Sequence, residues 1–398
     1  MLSPGLHIKM FNKKIRSFHF FGVIGFILGM ALGISLCYFL HLKIGVILLM
    51  ALTGAAAFFL LAFVAKIITG EETIVYYHHE IAILILCSIA LKLMNYPLLP
   101  YIDVTLLGIG TFLAFGRIGC FNVGCCHGRP GSFGYHYGAH HVEVGFTWYY
   151  KNVRLLPVQL IESGFVFCIV ITGSIILFQH VLPGTVLILY TVVYGSFRFT
   201  IEFFRGDTER PYYKGLSEAQ WTTLLLVAIS LFLSYSGSLP LYTWHVALFI
   251  ILCTVSLYII FFKRKTNGYR LTTPGHIREI ATGLQYMKLK NGNLPYSENP
   301  NVNVYTTSEG LSFSSGVYYT AGDKFVHYTL SGNSHLTLNK ETAYKLGKII
   351  ELIRKHSGAF EIIGKDNNIY HVIFKEKKIN EQLKVEMPDE SYSEIFYS

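Results

Sequence analysis

The chain has 398 residues, of which 52% are hydrophobic and only 14% charged, with a formal net charge of +9 and a positive mean hydropathy of +0.43. Soluble domains carry roughly 25% charged residues, so an ordinary soluble enzyme is excluded. Charge is unevenly placed: residues 1–265 hold 18 Lys and Arg against 10 Asp and Glu, and residues 266–398 hold 15 against 14. This pattern predicts a membrane domain over 1–265 followed by a small soluble domain over 266–398.

A helix needs about 20 mostly apolar residues to cross the hydrocarbon core. Eight stretches qualify, near 18–40, 45–69, 79–94, 101–120, 158–181, 183–204, 219–236 and 241–262, with seven or nine as the alternative counts. The third is the shortest and is expected to be partly irregular. The first follows Lys9, Lys13, Lys14 and Arg16 as a signal peptide would, but it is longer than a signal core and no small-residue cleavage site follows it, so it reads as a retained span. Because spans alternate sides, both termini and the 70–78, 121–157 and 205–218 loops share one side, which collects nearly all the Lys and Arg. The opposite loops carry little beyond Lys43 and Lys92. The positive-inside rule assigns the basic side to the cytoplasm.

Ionisable groups within spans are costly and face the protein interior or a water-filled cavity. The fourth span carries Asp103 near its start. It then breaks into a glycine-rich loop, Gly116-Arg117-Ile118-Gly119-Cys120-Phe121-Asn122-Val123-Gly124-Cys125-Cys126-His127-Gly128-Arg129-Pro130. Glycines let a backbone approach a ligand closely and expose amides to it. The fifth span opens with Gln159 and Glu162 one turn apart, and Tyr76-Tyr77-His78-His79-Glu80 leads into the third. In the sixth, Tyr194, Arg198 and Glu202 recur every four residues and form one polar column, with Arg205 after it. Such a column serves either as a structural salt bridge or as an anion site, since guanidinium binds phosphate bidentately and keeps its charge. Two separate arginine sites favour an anionic lipid headgroup.

None of the seven cysteines lies in the soluble part, which argues against a disulfide framework. Cys125, Cys126 and His127, with His136, His140 and His141, invite a metal reading, but adjacent cysteines are not the usual zinc spacing. No metal is expected. Thr266-Asn267-Gly268 begins a linker, Tyr305–Leu338 alternates as strands do, Lys340–His356 is an amphipathic helix with Leu346, Ile349, Ile350 and Ile353 on one stripe, and Glu361–Phe374 is a hairpin turning at residues 365–368. The fold class is therefore an all-α polytopic membrane protein with a small C-terminal α+β soluble domain.

These motifs resemble the prolipoprotein diacylglyceryl transferase family of bacterial membranes. Gly116–Pro130 is similar to that family's GRIGNFxNGExxGRP signature, Tyr194–Arg205 to its YGxFRxxxEFFR element, Leu156–Glu162 to HPSQLYE and Leu216–Gln220 to LSxxQ. Asp103 stands fourteen residues before Arg117, as the family's aspartate does. The departures are Cys120 and Val123 at asparagine positions, Cys125 at a glutamate, Leu156 at a histidine, and Tyr77-His78-His79-Glu80 as a rough counterpart of an HGG element. The likeness covers roughly residues 75–235.

The resemblance implies a seven-span core in the bacterial cytoplasmic (inner) membrane, with its catalytic face outside the cytoplasm. It also implies transfer of the diacylglyceryl group from phosphatidylglycerol, or another anionic phospholipid, to the lipobox cysteine of a preprolipoprotein. Arg117 and Arg198 would bind the headgroup and stabilise the departing phosphate, with His78 as the base. Tyr194, Glu202 and Asp103 would position the arginines, Gly116, Gly119, Gly124 and Gly128 would shape the loop, and Arg129, Arg205, Gln159 and Glu162 would complete the substrate site. No metal or nucleotide cofactor is required, and nucleic acid is not an expected partner, since the positive charge lies in the membrane part. The competing readings are a headgroup transferase with another acceptor, a non-catalytic lipid-binding or transport protein on the same fold, and a metal or redox sensor built on Cys125, Cys126 and His127.

Overall fold

A computed structural model describes residues 4–376 apart from 11–12, 71–74, 180, 209, 292–302, 321–322, 357–358 and 366–367. The chain forms two compact units, Met1–Lys265 and Thr266–Ser398.

Among the described residues of the first unit, eight helices are long and apolar enough to cross a membrane: Ser17–Phe39, Ile44–Ile68, Tyr76–Leu93, Leu98–Val123, Val158–Phe178, Thr185–Phe204, Glu218–Tyr235 and Thr243–Lys265. We refer to these as spans one to eight. Spans four and six are each 56% buried within the protein, against 22–39% for the others, so they form the centre and the rest present apolar faces outward. Glycines permit the closest approaches. A Cβ on Gly29 of span one would stand 2.8 Å from the Gly108 carbonyl oxygen of span four, and one on Gly110 would stand 2.9 Å from both Tyr190 and Val170.

Several expectations change. Span three is a regular helix over all 18 residues of Tyr76–Leu93. Span four does not break at Gly116 but runs as a helix to Val123, where Gly124 caps it in the left-handed region at φ 85°. Gly116 and Gly119 are therefore helical rather than loop residues, and Gly119 is instead a contact point with Phe18 of span one, whose Cα would lie 3.2 Å from its Cβ. Span six is not one uniform α-helix. It passes from Thr185–Leu189 through a π-turn at Tyr190–Tyr194 to the α-helix Gly195–Ile201 and a 3₁₀ turn at Glu202–Phe204. Asp103 does not position arginines: its carboxylate accepts from the Gly184 and Leu187 amides at 2.7 and 2.8 Å, capping the start of span six. Fourteen residues of helix separate it from Arg117, about 21 Å along the axis.

Before span one, His7–Met10 pairs antiparallel with Lys13–Arg16. The Gly5 amide donates to Asn122 Oδ1 at 3.1 Å, tying this segment to the end of span four.

The second unit is an α+β domain. A five-stranded antiparallel sheet runs in the order Tyr305–Thr306, Leu311–Thr320, Asp323–Gly332, Ile369–Glu376 and Phe360–Lys365. Helices Pro274–Asn291 and Lys340–Arg354 supply Leu284, Met287, Leu346 and Ile350 to a core shared with Phe313, Tyr328 and Phe374 of the sheet. Ile349 and Ile353 pack at its margin, so the apolar stripe on the second helix faces the core. The second unit opens at Thr266, and Asn267–Leu271 is a short helix. The central turn residues 366–367 of the C-terminal hairpin lie outside the described residues.

Candidate active site

The site forms where the ends of spans three to seven converge. Glu162, in the first turns of span five, is its hub. One oxygen lies 2.9 Å from Arg117 Nε of span four, and the other lies 3.7 Å from Arg198 Nε of span six. The Tyr194 hydroxyl donates to that second oxygen at 2.9 Å. Arg198 also meets Glu202 at 2.5 Å, and Arg210 approaches Glu202 at 3.5 Å. Arg205 binds Asp207 through two hydrogen bonds of 2.8 and 2.7 Å, and Arg210 Nε stands 3.9 Å from Asp207. Burial pushes the Asp207 carboxyl up, but Arg205 outweighs it and holds the group below the usual carboxylate range.

Arg117, Glu162, Arg198, Glu202 and Arg205 are each at most 5% exposed. Four guanidiniums, counting Arg210, therefore meet three carboxylates, Glu162, Glu202 and Asp207, and the network carries a surplus positive charge. Charges this deep are tolerated only when paired, and breaking a pair is strongly destabilising. One donor of the network, Arg117 Nη2, is buried with neither a hydrogen bond nor an ion pair among the described residues. An anion's acceptor oxygen would satisfy it. Aromatic rings wall one side: Tyr76 lies edge-on to Tyr194 at 5.8 Å, and the Tyr76 and Tyr190 hydroxyls bond at 2.8 Å. The π-turn brings Tyr190 and Tyr194 onto this side.

The 124–130 segment is pinned around the network. Gln159 Nε2 donates to the Cys125 carbonyl at 2.8 Å, while Gln159 Oε1 is buried without a hydrogen-bond partner among the described residues. The Gly128 amide donates to Leu156 at 3.1 Å, and the Arg129 amide and Nε donate to Phe204 and Arg205 carbonyls at 2.9 and 3.1 Å. A Cβ on Gly128 would collide with the Leu156 carbonyl. Gly124 ends span four in the left-handed region, and Gly128 stands against Leu156 within this turn.

His78 is not brought into the network. Its ring is 57% exposed and pairs with Glu218 at 2.6 Å. The histidines near the loop do not gather around the cysteines either. His127 engages the Gly128 carbonyl and Thr147, His136 the Asn152 carbonyl, His140 Glu143, and His141 the Asn122 carbonyl. Burial pushes the His127 imidazole down. Instead Cys120 joins Cys125 and Cys126, with the three sulfurs within 4.8 Å of one another. Hydrogen bonds from Cys120 and Cys125, with Arg205 and Arg117 nearby, hold the Cys126 thiol well below its ordinary value.

Sequence reasoning missed Asp207, Arg210 and, of the tyrosine wall, Tyr190. A signal existed for the first two, since Arg205-Gly206-Asp207 and Arg210 lie in a short loop where opposite charges sit within reach.

A sequence profile described as prolipoprotein diacylglyceryl transferase matches residues 6–236. The chain belongs to the prolipoprotein diacylglyceryl transferase family. The match ends just after span seven, so span eight and the second unit lie beyond the family core. Among relatives, a phosphatidylglycerol–prolipoprotein diacylglyceryl transferase of Clostridium tetani is 31% identical over 144 residues, covering 35% of this chain and 55% of the relative. One from Dehalococcoides mccartyi is 31% identical over 138 residues, covering 32% and 48%. A protein named phosphatidylglycerol–prolipoprotein diacylglyceryl transferase 2 from Clostridium perfringens is 30% identical over 127 residues, covering 31% and 45%. The chain spans about half the length of the curated relatives it matches.

Proposed function

We propose that this multi-pass membrane protein transfers the diacylglyceryl group of phosphatidylglycerol to the lipobox cysteine thiol of preprolipoproteins, in the bacterial cytoplasmic (inner) membrane. The observation that carries the reading is the buried network around Glu162, in which Arg117 and Arg198 are held side by side with a surplus positive charge. In this reaction the thiol loses its proton to solvent and its sulfur attacks the carbon of the diacylglycerol moiety that bears the phosphate. A C–S bond forms, the C–O bond breaks, and glycerol phosphate leaves with the electron pair. Arg117 and Arg198 neutralise charge gathering on that phosphate in a site where water does not screen it. Glu162, Tyr194 and Glu202 keep both guanidiniums in place, and Gln159, Arg129 and Arg205 hold the loop around them.

The test is a mass-spectrometric transfer assay with purified protein, phosphatidylglycerol and a lipobox-cysteine peptide. The expected result is a diacylglyceryl mass gain on the peptide, absent with Arg198→Ala. Normal turnover by a well-folded Arg198→Ala protein refutes the role of the arginine. A folded, lipid-binding wild-type protein that leaves the peptide unmodified refutes the acceptor. The second reading, another acceptor on the same donor site, draws on Cys120, Val123 and Cys125, which alter the loop beside Arg117.

A further inference from the structure

The last turn of span four places Cys120 three residues beyond Arg117, close to one full turn of helix. Gly124 then ends the helix at φ 85°, and Cys126 itself adopts the left-handed region at φ 56°. These two reversals fold the chain back over the helix end, so that Cys125 and Cys126 meet Cys120 with all three sulfurs within 4.8 Å. Sulfurs bound to one tetrahedral zinc ion at about 2.3 Å stand about 3.8 Å apart. The three thiols are therefore within about 1 Å of a ligating arrangement.

The donor set is also selective. Both ring nitrogens of His127 are engaged elsewhere, which leaves sulfur alone. Thiolate sets favour thiophilic ions such as zinc over magnesium or calcium. Three thiolates and a divalent ion leave one negative charge, with Arg205 and Arg117 nearby. The Gln159 bond to the Cys125 carbonyl and the Gly206 amide bond to the His127 carbonyl, at 2.8 and 3.0 Å, hold the turn in place without any ion.

We propose that Cys120, Cys125 and Cys126 bind one thiophilic divalent ion of the zinc class, and that its open fourth position takes the acceptor thiol. The first half stands on the geometry of the three sulfurs and reverses the expectation of no metal. The second half rests on the transfer activity proposed above. A thiol bound to such an ion is deprotonated, its proton passing to solvent, and becomes the thiolate nucleophile. That supplies the deprotonation for which His78 is misplaced.

The experiment uses the full chain purified in detergent under reducing conditions, loaded with Zn²⁺ or Co²⁺. One ion per chain, thiolate-to-cobalt charge-transfer absorption, and loss of both in Cys120→Ser and Cys126→Ser are expected, with Cys168→Ser, an exposed cysteine of span five, binding as the wild type does. In wild-type protein, which needs no variant to fold, Zn²⁺ is expected to protect these three cysteines from maleimide. A protein that takes up no ion and shows no such protection overturns the site, as does an ion retained in both variants. Adding a lipobox-cysteine peptide should alter the cobalt spectrum, whereas a serine peptide should not. An ion-loaded protein whose spectrum ignores the cysteine peptide overturns the second half. A peptide-responsive spectrum without diacylglyceryl transfer counts against the transferase reading and leaves the metal site standing.

Discussion

Glu162 concentrates the energetics of the site at a single side chain. Its two oxygens serve Arg117 and Arg198 at once while it accepts from Tyr194, and it is 2% exposed. Glutamine at this position keeps the shape and removes the charge, leaving two buried guanidiniums facing one another. Glu162→Gln is predicted to lose about 3–5 kcal/mol of stability, read as a lower melting temperature in detergent. Added phosphatidylglycerol should restore more of that loss in the variant than it adds to the wild type, because its phosphate replaces the missing anion. An unchanged melting temperature would contradict the bridging role. Asp103 shows the reverse case at this scale: a buried carboxylate fourteen residues before Arg117 that is spent on two backbone amides at the opposite end of the helix.

At the level of elements, glycine decides how spans one, four and six meet. Gly29 faces the Gly108 backbone, and a carbonyl oxygen cannot swing aside as a side chain can. Gly29→Val should therefore cost about 1–3 kcal/mol by overpacking, whereas Gly22→Val on the same helix, with nothing within 4 Å of its Cβ, should be nearly silent. Comparing thermal unfolding of the two variants checks this, and equal stability would remove the close-approach argument. The polar column of span six was legible from its spacing of four because a helix repeats on that period. Its π-turn was not, since Tyr190–Tyr194 is an unremarkable apolar stretch until packing against Gly110 and Tyr76 is known. Gly116 and Gly119 show the same limit, as glycine suits both a loop and a tight helix contact.

For the whole molecule, the charge pattern survives the structure. Arg117, Arg198 and Arg205 are buried in ion pairs and do not act as loop charges. Lys9, Lys13, Lys14, Arg16, Lys263 and Lys265 remain exposed at one set of span ends, against Lys43 and Lys92 at the other. Cysteines introduced at Lys14 and Lys265 are therefore predicted to react with an impermeant maleimide in inverted vesicles and not in intact cells, measured over the native-cysteine background. Labelling from outside would instead agree with the orientation implied by the family. The eight spans and the composition break at residue 265 could be read along the chain, because the bilayer selects for apolar run length, a local property. So could Arg117, Arg198 and Glu162 as ionisable groups that need partners. Tertiary structure alone decided that Glu162 bridges both arginines, that Cys120 joins Cys125 and Cys126 while the histidines turn away, and that His78 stays at the surface with Glu218. Those outcomes depend on which faces of distant spans pack together, and no periodicity within one segment carries that information.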